Sequence, residues 1–255
     1  MWKSKGGINV GIFKIPSNLT EVNAFCAGCG HGIIIKAIAG ILEELNVADR
    51  AMGACCVGCG MSIKRSLAYD SVQAPHGRAS ATSAAMKIVR PNAVVISYQG
   101  DGDAGSIGIA ETIYQAKRNE NITVIFINNG VYGMTGGQTA PTSLNDQKLS
   151  TAKYGTDYAV FGEPLHLAEM LATMNVGYIA RGSIANAAEF MKTKSYIKKA
   201  IQCQIEKKGY SFVEILAPCP TNWKMTPQQS MQRILDVNMK IFQCGELKEG
   251  NYYVE

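Results

Sequence analysis

No stretch of this 255-residue chain holds the roughly 18 uninterrupted apolar residues that a membrane-spanning helix needs, so no membrane association is expected. The opening residues Met1–Gly11 lack a charged leader followed by an apolar stretch and a cleavage site. A signal peptide is therefore not expected, and the protein should stay in the cytoplasm. A strong charge of one sign is missing too: 25 Lys and Arg against 20 Asp and Glu give a net charge of +5. The basic residues are scattered, densest at Lys192, Lys194, Lys198 and Lys199, with no interleaved aromatics. That excludes a nucleic-acid face, and the lysine run reads as a solvated helix face. There is no internal repeat, low-complexity stretch or linker, and 47% of the residues are hydrophobic. Residues 1–255 are therefore expected to form a single domain around one large core.

What the chain does have is an alternation of helical and strand-like segments. Residues 33–46, 79–90, 106–119, 185–208 and 227–242 read as helices, the second stopped by Pro91 and the last opened by Pro227. Residues 51–55, 93–98, 122–127, 176–180 and 211–216 read as strands. Continuous apolar runs such as 93–98 fit strands buried on both faces. Strands alternating with helices imply β-α-β units, hence an α/β fold with a doubly wound, mostly parallel sheet and helices on both faces. Ligands of such folds sit beyond the carboxyl ends of the strands.

One strand of this series runs directly into Gly100-Asp101-Gly102-Asp103-Ala104-Gly105, and a helix follows. Glycines at such a turn let the backbone approach a phosphate, and the helix N-terminus adds free N–H groups and positive dipole. Two aspartates would repel that phosphate. A divalent cation between carboxylate and diphosphate resolves the conflict, and Mg²⁺ takes oxygen ligands of this kind. The next strand ends in Asn128-Asn129, and adjacent parallel strands would bring an amide oxygen to the same cation.

The eight cysteines are clustered. In a reducing compartment, clustered thiols point to metal or redox chemistry rather than disulfides. Cys26-Ala27-Gly28-Cys29-Gly30 and Cys56-Val57-Gly58-Cys59-Gly60 are both C-x-x-C turns, and by spacing alone they read as a structural zinc site. Cys219, in Ala217-Pro218-Cys219-Pro220-Thr221-Asn222-Trp223 just after a strand, could face the same side and favours iron–sulfur instead. Cys203 and Cys244 read as small core residues or inert thiols. On spacing alone His76, after Pro75, is a satisfied turn histidine; His31 is a weaker candidate than His76, and His166 is structural.

The pairing of GDG with a later NN resembles the diphosphate-binding signature of thiamine-diphosphate enzymes. The longer string GDGDAGSIG…NNGVYGMTGGQ, with HGRA at His76–Ala79, is similar to the β subunit of 2-oxoacid:ferredoxin oxidoreductases, over about residues 25–224. The resemblance implies that Asp101, Asn129 and the carbonyl of Val131 ligate Mg²⁺. It implies that Gly100, Gly102, Asp103, Met134 and Thr135 contact thiamine diphosphate together with Gly58, Cys59 and Gly60, and that His76 acts close to the cofactor. Similar proteins bind a [4Fe–4S] cluster through a C-x-x-C pair, one cysteine of a G-C-G/S turn and one of a P-C-P segment. Carried over, the ligands are Cys26, Cys29, Cys59 and Cys219, with Cys56 as the alternative third ligand. Ala27 stands where the pair usually has proline, which removes stiffness but no ligand.

The activity so implied is oxidative decarboxylation of a 2-oxoacid to acyl-CoA and CO₂. Thiamine diphosphate would supply the carbanion stabilisation and the cluster would pass single electrons to ferredoxin. The carboxylate that activates the aminopyrimidine normally comes from a second domain, for which one α/β unit leaves no room. A pyrimidine-binding α subunit, with further subunits, is therefore the expected partner. Some similar proteins carry lysine where this chain has Gly136; with CPTNW, this resembles branched-chain 2-oxoacid (3-methyl-2-oxobutanoate) enzymes, with 2-oxoglutarate or pyruvate as alternatives. Two other readings stand beside this one: a non-redox thiamine-diphosphate carboligase half with structural zinc, and a zinc-stabilised nucleotide-binding protein. The latter expects G-x-G-x-x-G and an acidic ribose ligand, which CGHGI does not supply.

Overall fold

A computed structural model describes residues 15–20 and 24–250; the leader reading of Met1–Gly11 lies outside the described residues. Helix α1 (Gly30–Glu44) leads into β1 (Ala51–Cys55), and the short α2 (Ile63–Ser66) into β2 (Asp70–Gln73). There follow α3 (Ala79–Val89), β3 (Val94–Gly100), α4 (Ile109–Lys117) and β4 (Thr123–Asn128). The short helices α5 (Tyr158–Phe161) and α6 (Leu167–Ala172) precede β5 (Tyr178–Ser183), α7 (Ala187–Ile205) and β6 (Ser211–Leu216). Last come α8 (Pro220–Trp223), α9 (Pro227–Arg233), α10 (Met239–Ile241) and β7 (Gly245–Glu249).

The seven strands form one sheet in the order β2-β1-β3-β4-β6-β5-β7, parallel throughout except for β7, which runs antiparallel to β5. The central strands bury both faces, as continuous apolar runs require. Within β4, Ile125 and Ile127 pack under α1 and α7, while Val124 and Phe126 pack under α6 and the end of α4. Each such side chain taken fully from water contributes about 1.5–3 kcal/mol, so the sheet is fixed from both sides. The lysines of α7 form ion pairs: Lys198 with Glu44, Lys199 with Glu246, and Lys192 with Glu189. Among the described residues no helix is long and apolar enough to cross a membrane.

The α/β reading with helices on both faces matches this architecture, with local differences. The sequence reading expects neither β2 nor β7. Both are edge strands, and Asp70-Ser71-Val72-Gln73 and Gly245-Glu246-Leu247-Lys248-Glu249 are too polar to stand out. β5 lies two to three residues later than expected, because the strand carries Arg181 buried in its interior. The closing helix expected over 227–242 is interrupted by one wide π turn, Ile234–Asn238. A similar turn, Asp103–Ile107, opens the helix after β3 and is closed by the Gly108 amide donating to the Asp103 carbonyl at 2.8 Å. Insertions of this kind are frequent at functional sites.

Candidate active site at the carboxyl edge of the sheet

The chain leaves β1 for β2 on one side and leaves β3 for β4 on the other. The crevice between the β1 and β3 tips is thus a topological switch point, where ligands of open α/β sheets bind. A cavity of about 340 Å³ lies there. Gly58, Cys59 and Gly60 line it from the loop after β1, and Gly100, Asp101, Gly102 and Asp103 from the turn after β3. Asn129, Val131, Met134 and Thr135 line it from the loop after β4, and His76 from the loop before α3. The expected thiamine and magnesium residues therefore share one cavity.

Parallel pairing of β3 with β4 sets Gly100 opposite Ile127, so Asp101 and Asn129 extend from neighbouring strand tips. The Asp101 carboxylate is buried beside the cavity and accepts from the Thr142 hydroxyl at 2.9 Å and the Gly102 amide at 2.8 Å. Burial pushes its pKa up to about 6, opposed by hydrogen bonds from Thr142 and from the amides of Gly102, Gly130 and Val131. These four donors are uncharged. A desolvated carboxylate held only by neutral donors fits a divalent cation, whose charge would offset the cost of burial. The Asn129 side-chain oxygen accepts from the Val131 amide at 3.2 Å, folding the loop back toward Asp101. Asn128 turns the other way, its amide donating to the buried Glu214 at 2.7 Å. At Gly102 the backbone is packed so closely that a methyl group would lie 2.5 Å from the Tyr132 ring. The adjoining Gly100 faces open space, and the two together make a cradle a diphosphate would fit.

Asp103 sits differently from Asp101. Its carboxylate is 1% exposed; Oδ1 lies 2.6 Å from His76 Nδ1 and accepts from the Gly77 amide at 2.8 Å, while Oδ2 accepts from Gln99 at 2.6 Å. Ser80 and Ser97 in turn donate to the Gln99 carbonyl oxygen at 2.6 and 3.0 Å. The carboxylate thus orients His76 from within the cavity lining. With Nδ1 bound to Asp103, Nε2 is the nitrogen left to serve the cavity.

The cysteines gather at the same edge. Cys29 precedes α1, Cys59 follows β1 and Cys219 follows β6. The approach depends on glycine: a methyl group on Gly30 would lie 2.8 Å from Ala217, and one on Gly28 (φ +75°) 2.6 Å from Pro227. Burial pushes the Cys29 thiol up to about 12; the His31 amide opposes this, and the charges of Cys219, Cys59 and Cys26 add to it. Cys59 is pushed up to about 11 by burial, then by Cys219, Cys26 and Asp101. Cys26, Cys29, Cys59 and Cys219 are therefore in electrostatic reach of one another. Cys56 also lines the cavity, but its sulfur lies against Gly60 and its charge interacts with Asp103 and Cys55. Among the described residues no group of three or more His, Cys, Asp or Glu side chains is close enough to hold a metal ion.

Several site residues escape sequence reasoning. Tyr98 is fully buried in β3 and its hydroxyl lies 2.7 Å from His31 Nδ1; the His31 ring, stacked on Phe25 and kept neutral by burial with a pKa near 4, lines the cavity. Thr142, Gln99, Asn222 and Trp223 also act here, Trp223 by donating its indole N–H to the Asn129 carbonyl at 3.1 Å. Thr142 and Gln99 belong to ordinary residue types that no spacing marks, whereas Asn222 and Trp223 fall in the CPTNW segment without their contacts being legible there.

Comparison with known proteins gives the family. Residues 52–215 match the family described as thiamine pyrophosphate enzyme, C-terminal TPP binding domain. Ketoisovalerate oxidoreductase subunit VorA of Methanothermobacter thermautotrophicus is 42% identical over 217 residues, covering 85% of this chain and 45% of that protein. The 2-oxoglutarate synthase subunit KorB of Methanocaldococcus jannaschii is 37% identical over 198 residues, covering 77% of this chain and 69% of that one. In structure, 2-oxoglutarate:ferredoxin oxidoreductase from Magnetococcus marinus superposes with a TM-score of 0.77 over 96% of this chain and 87% of that chain, at 23% identity. The fold and site thus define a thiamine pyrophosphate-binding domain. The chain belongs to the β-subunit family of 2-oxoacid:ferredoxin oxidoreductases. It spans about half the length of the VorA relatives it matches.

Proposed function

We propose that this chain is the cofactor-holding subunit of a cytoplasmic enzyme that oxidises 3-methyl-2-oxobutanoate to an acyl-CoA and CO₂. Electrons leave through a [4Fe–4S] cluster to ferredoxin. One observation carries the reading: Cys59 lines the cavity beside Asp101 and also stands among the thiols of Cys26, Cys29 and Cys219. The group that reacts with substrate and the group that takes its electrons would share a wall.

In this reading Asp101, Asn129 and the Val131 carbonyl hold Mg²⁺, and the backbone around Gly100 and Gly102 lies along the diphosphate. Thiamine diphosphate, when bound, supplies the electron sink that decarboxylation of a 2-oxoacid requires. The protein's part is to grip the diphosphate, exclude water and orient His76 through Asp103. The carboxylate that activates the aminopyrimidine comes from a pyrimidine-binding α subunit. The branched-chain substrate rests on the identity with VorA and on Gly136, which offers no cation to a second substrate carboxylate. The positive φ of +110° at that position suits glycine and disfavours lysine.

The test is anaerobic purification of the complex, analysis of its metals and cofactor, and assay against a panel of 2-oxoacids with coenzyme A and ferredoxin. Brown protein with about four irons per cluster, and the highest kcat/KM on 3-methyl-2-oxobutanoate, are expected. Colourless protein with zinc in place of iron defeats the redox reading; a preference for 2-oxoglutarate or pyruvate defeats the substrate alone.

Two variants sharpen it. Cys59→Ala is expected to lose the cluster's iron, while Cys56→Ala keeps it; the reverse result in an iron assay would move the third ligand to Cys56. Asp103→Asn keeps its shape but places an amide nitrogen among the donors of His76, Gly77 and Gln99. One of them then loses its acceptor and the histidine tautomer is no longer fixed. A fall in kcat of at least roughly 10–100-fold is expected, the range for losing a carboxylate that orients a metal-ligating histidine, with KM little changed. Steady-state kinetics at the wild-type rate would remove His76 from the reaction.

A further inference from the structure

Asn222 lies on α8 between the cysteine site and the loop after β4. Its side-chain nitrogen donates to the Gly133 carbonyl at 3.1 Å and to the Cys219 sulfur at 3.3 Å. Both acceptors lack a proton to give when Cys219 is a thiolate, so the amide can point only one way. A flip would aim its oxygen at two acceptors. Gly133 lines the cavity, and a methyl group placed on it would lie 3.4 Å from the Cys59 sulfur and 3.7 Å from that of Cys219. One amide thus joins a cluster thiolate to the loop that carries Asn129 and Val131.

We propose that Asn222 is a positioning residue for electron transfer: it tunes the potential of the Cys219-bound cluster and holds that cluster against the cofactor loop. The inference rests on the [4Fe–4S] reading above. Reduction adds one electron and one negative charge to the cluster, part of which spreads onto the thiolates. That electron comes from oxidation of the 2-oxoacid and leaves to ferredoxin. An N–H donor aimed at Cys219 stabilises the reduced form more than the oxidised form and so raises the potential. Hydrogen bonds to charged acceptors are the strong ones, and a second-sphere effect of this size reaches about tenfold in the redox equilibrium, equal to about 59 mV for one electron.

The experiment is an anaerobic redox titration of the intact complex, followed by electron paramagnetic resonance, on wild type, Asn222→Leu and Asn222→Asp. Leucine removes the donor at similar volume; aspartate puts an acceptor in its place. Both variants are expected to retain iron, and wild type is expected to show the highest midpoint of the three. Unchanged midpoints with full iron would overturn the proposal. Should a variant shed its iron, wild-type protein labelled with ¹⁵N in its asparagine amides decides the matter. A ¹⁵N coupling to the reduced cluster supports the contact, and its absence overturns it. Wild-type protein without a cluster signal would instead defeat the underlying iron–sulfur reading.

Discussion

Asp101→Asn is expected to leave a folded protein whose Mg²⁺-dependent affinity for thiamine diphosphate has fallen at least about 100-fold, beyond the usual range for losing a group that only supports a metal ligand. The substitution is nearly isosteric. The amide oxygen can still accept from the Gly102 amide, and the Thr142 hydroxyl can rotate to accept from the new nitrogen, so these two hydrogen bonds survive. Burial already holds the carboxyl at about 6 against its ordinary value of 3.8. Removing the charge therefore costs the apo protein little and lightens a desolvation burden. What disappears is the one anionic ligand that Mg²⁺, a hard and strongly hydrated ion, would find at this end of the cavity. Titration calorimetry of thiamine diphosphate with and without Mg²⁺, alongside a thermal melt, separates the two effects. Wild-type binding in the variant would place the cation elsewhere and remove the basis for assigning Asn129 and Val131. A large loss of melting temperature would show that the carboxylate is structural.

The parts of this site that were legible are those where residue type and chain position coincide. Glycines and aspartates at the end of an apolar strand stand out because neither suits a buried strand or a helix interior, and the pairing of β3 with β4 then brings Asp101 and Asn129 together. The buried strands are legible for the same reason: residues 94–98 and 123–127 are mostly apolar, with only Ser97 and Thr123 polar and no alternation. Position alone could not separate Cys56 from Cys59, since both occupy the ends of one C-x-x-C turn. The short helical turn over Cys59–Ser62 turns Cys59 toward Cys219 and leaves Cys56 against Gly60. The resemblance places Asp103 at the cofactor, and it lines the cavity; the wide turn that begins there also sets its carboxylate against His76, a contact that leaves no trace in residue spacing. Thr142 reaches the site from a loop far along the chain, so only the folded arrangement reveals it.

Arg181→Met is expected to be the most destabilising single change in the sheet. Arg181 is fully buried in β5; its Nε donates to Glu214 Oε2 at 2.8 Å, and its terminal nitrogens engage both carboxylate oxygens of Glu169 on α6. A third acceptor, the Gln243 carbonyl, lies at 3.2 Å, and the guanidinium stands 5.3 Å from the Phe242 ring centroid. Glu214 is also fully buried, and burial holds its pKa above the ordinary range even with Arg181 alongside. Methionine would fill the space but leave that carboxylate without its counter-charge, a change that costs about 3–5 kcal/mol. For a domain of this size the melting temperature should fall by roughly 6–20 °C. The sign of the pH dependence follows from the raised pKa. A carboxyl that binds its proton more tightly folded than unfolded favours the folded state at low pH, and that advantage is lost as pH rises through the folded value. Without Arg181 the folded value rises further, so the gap between variant and wild type should narrow on acidification and widen toward neutrality. Arg181→Met combined with Glu214→Gln should recover much of the loss, because glutamine is uncharged and still offers an oxygen to the Asn128 amide. That contact matters to the site as well as to the core: Asn128 is tied to Glu214 at 2.7 Å, and the next residue is Asn129. If thiamine diphosphate binding falls in the single variant and returns in the double one, the buried charge network is holding the β4 tip in place. A single variant that melts within a degree or two of wild type would mean the network is dispensable and the tip is held by the sheet alone.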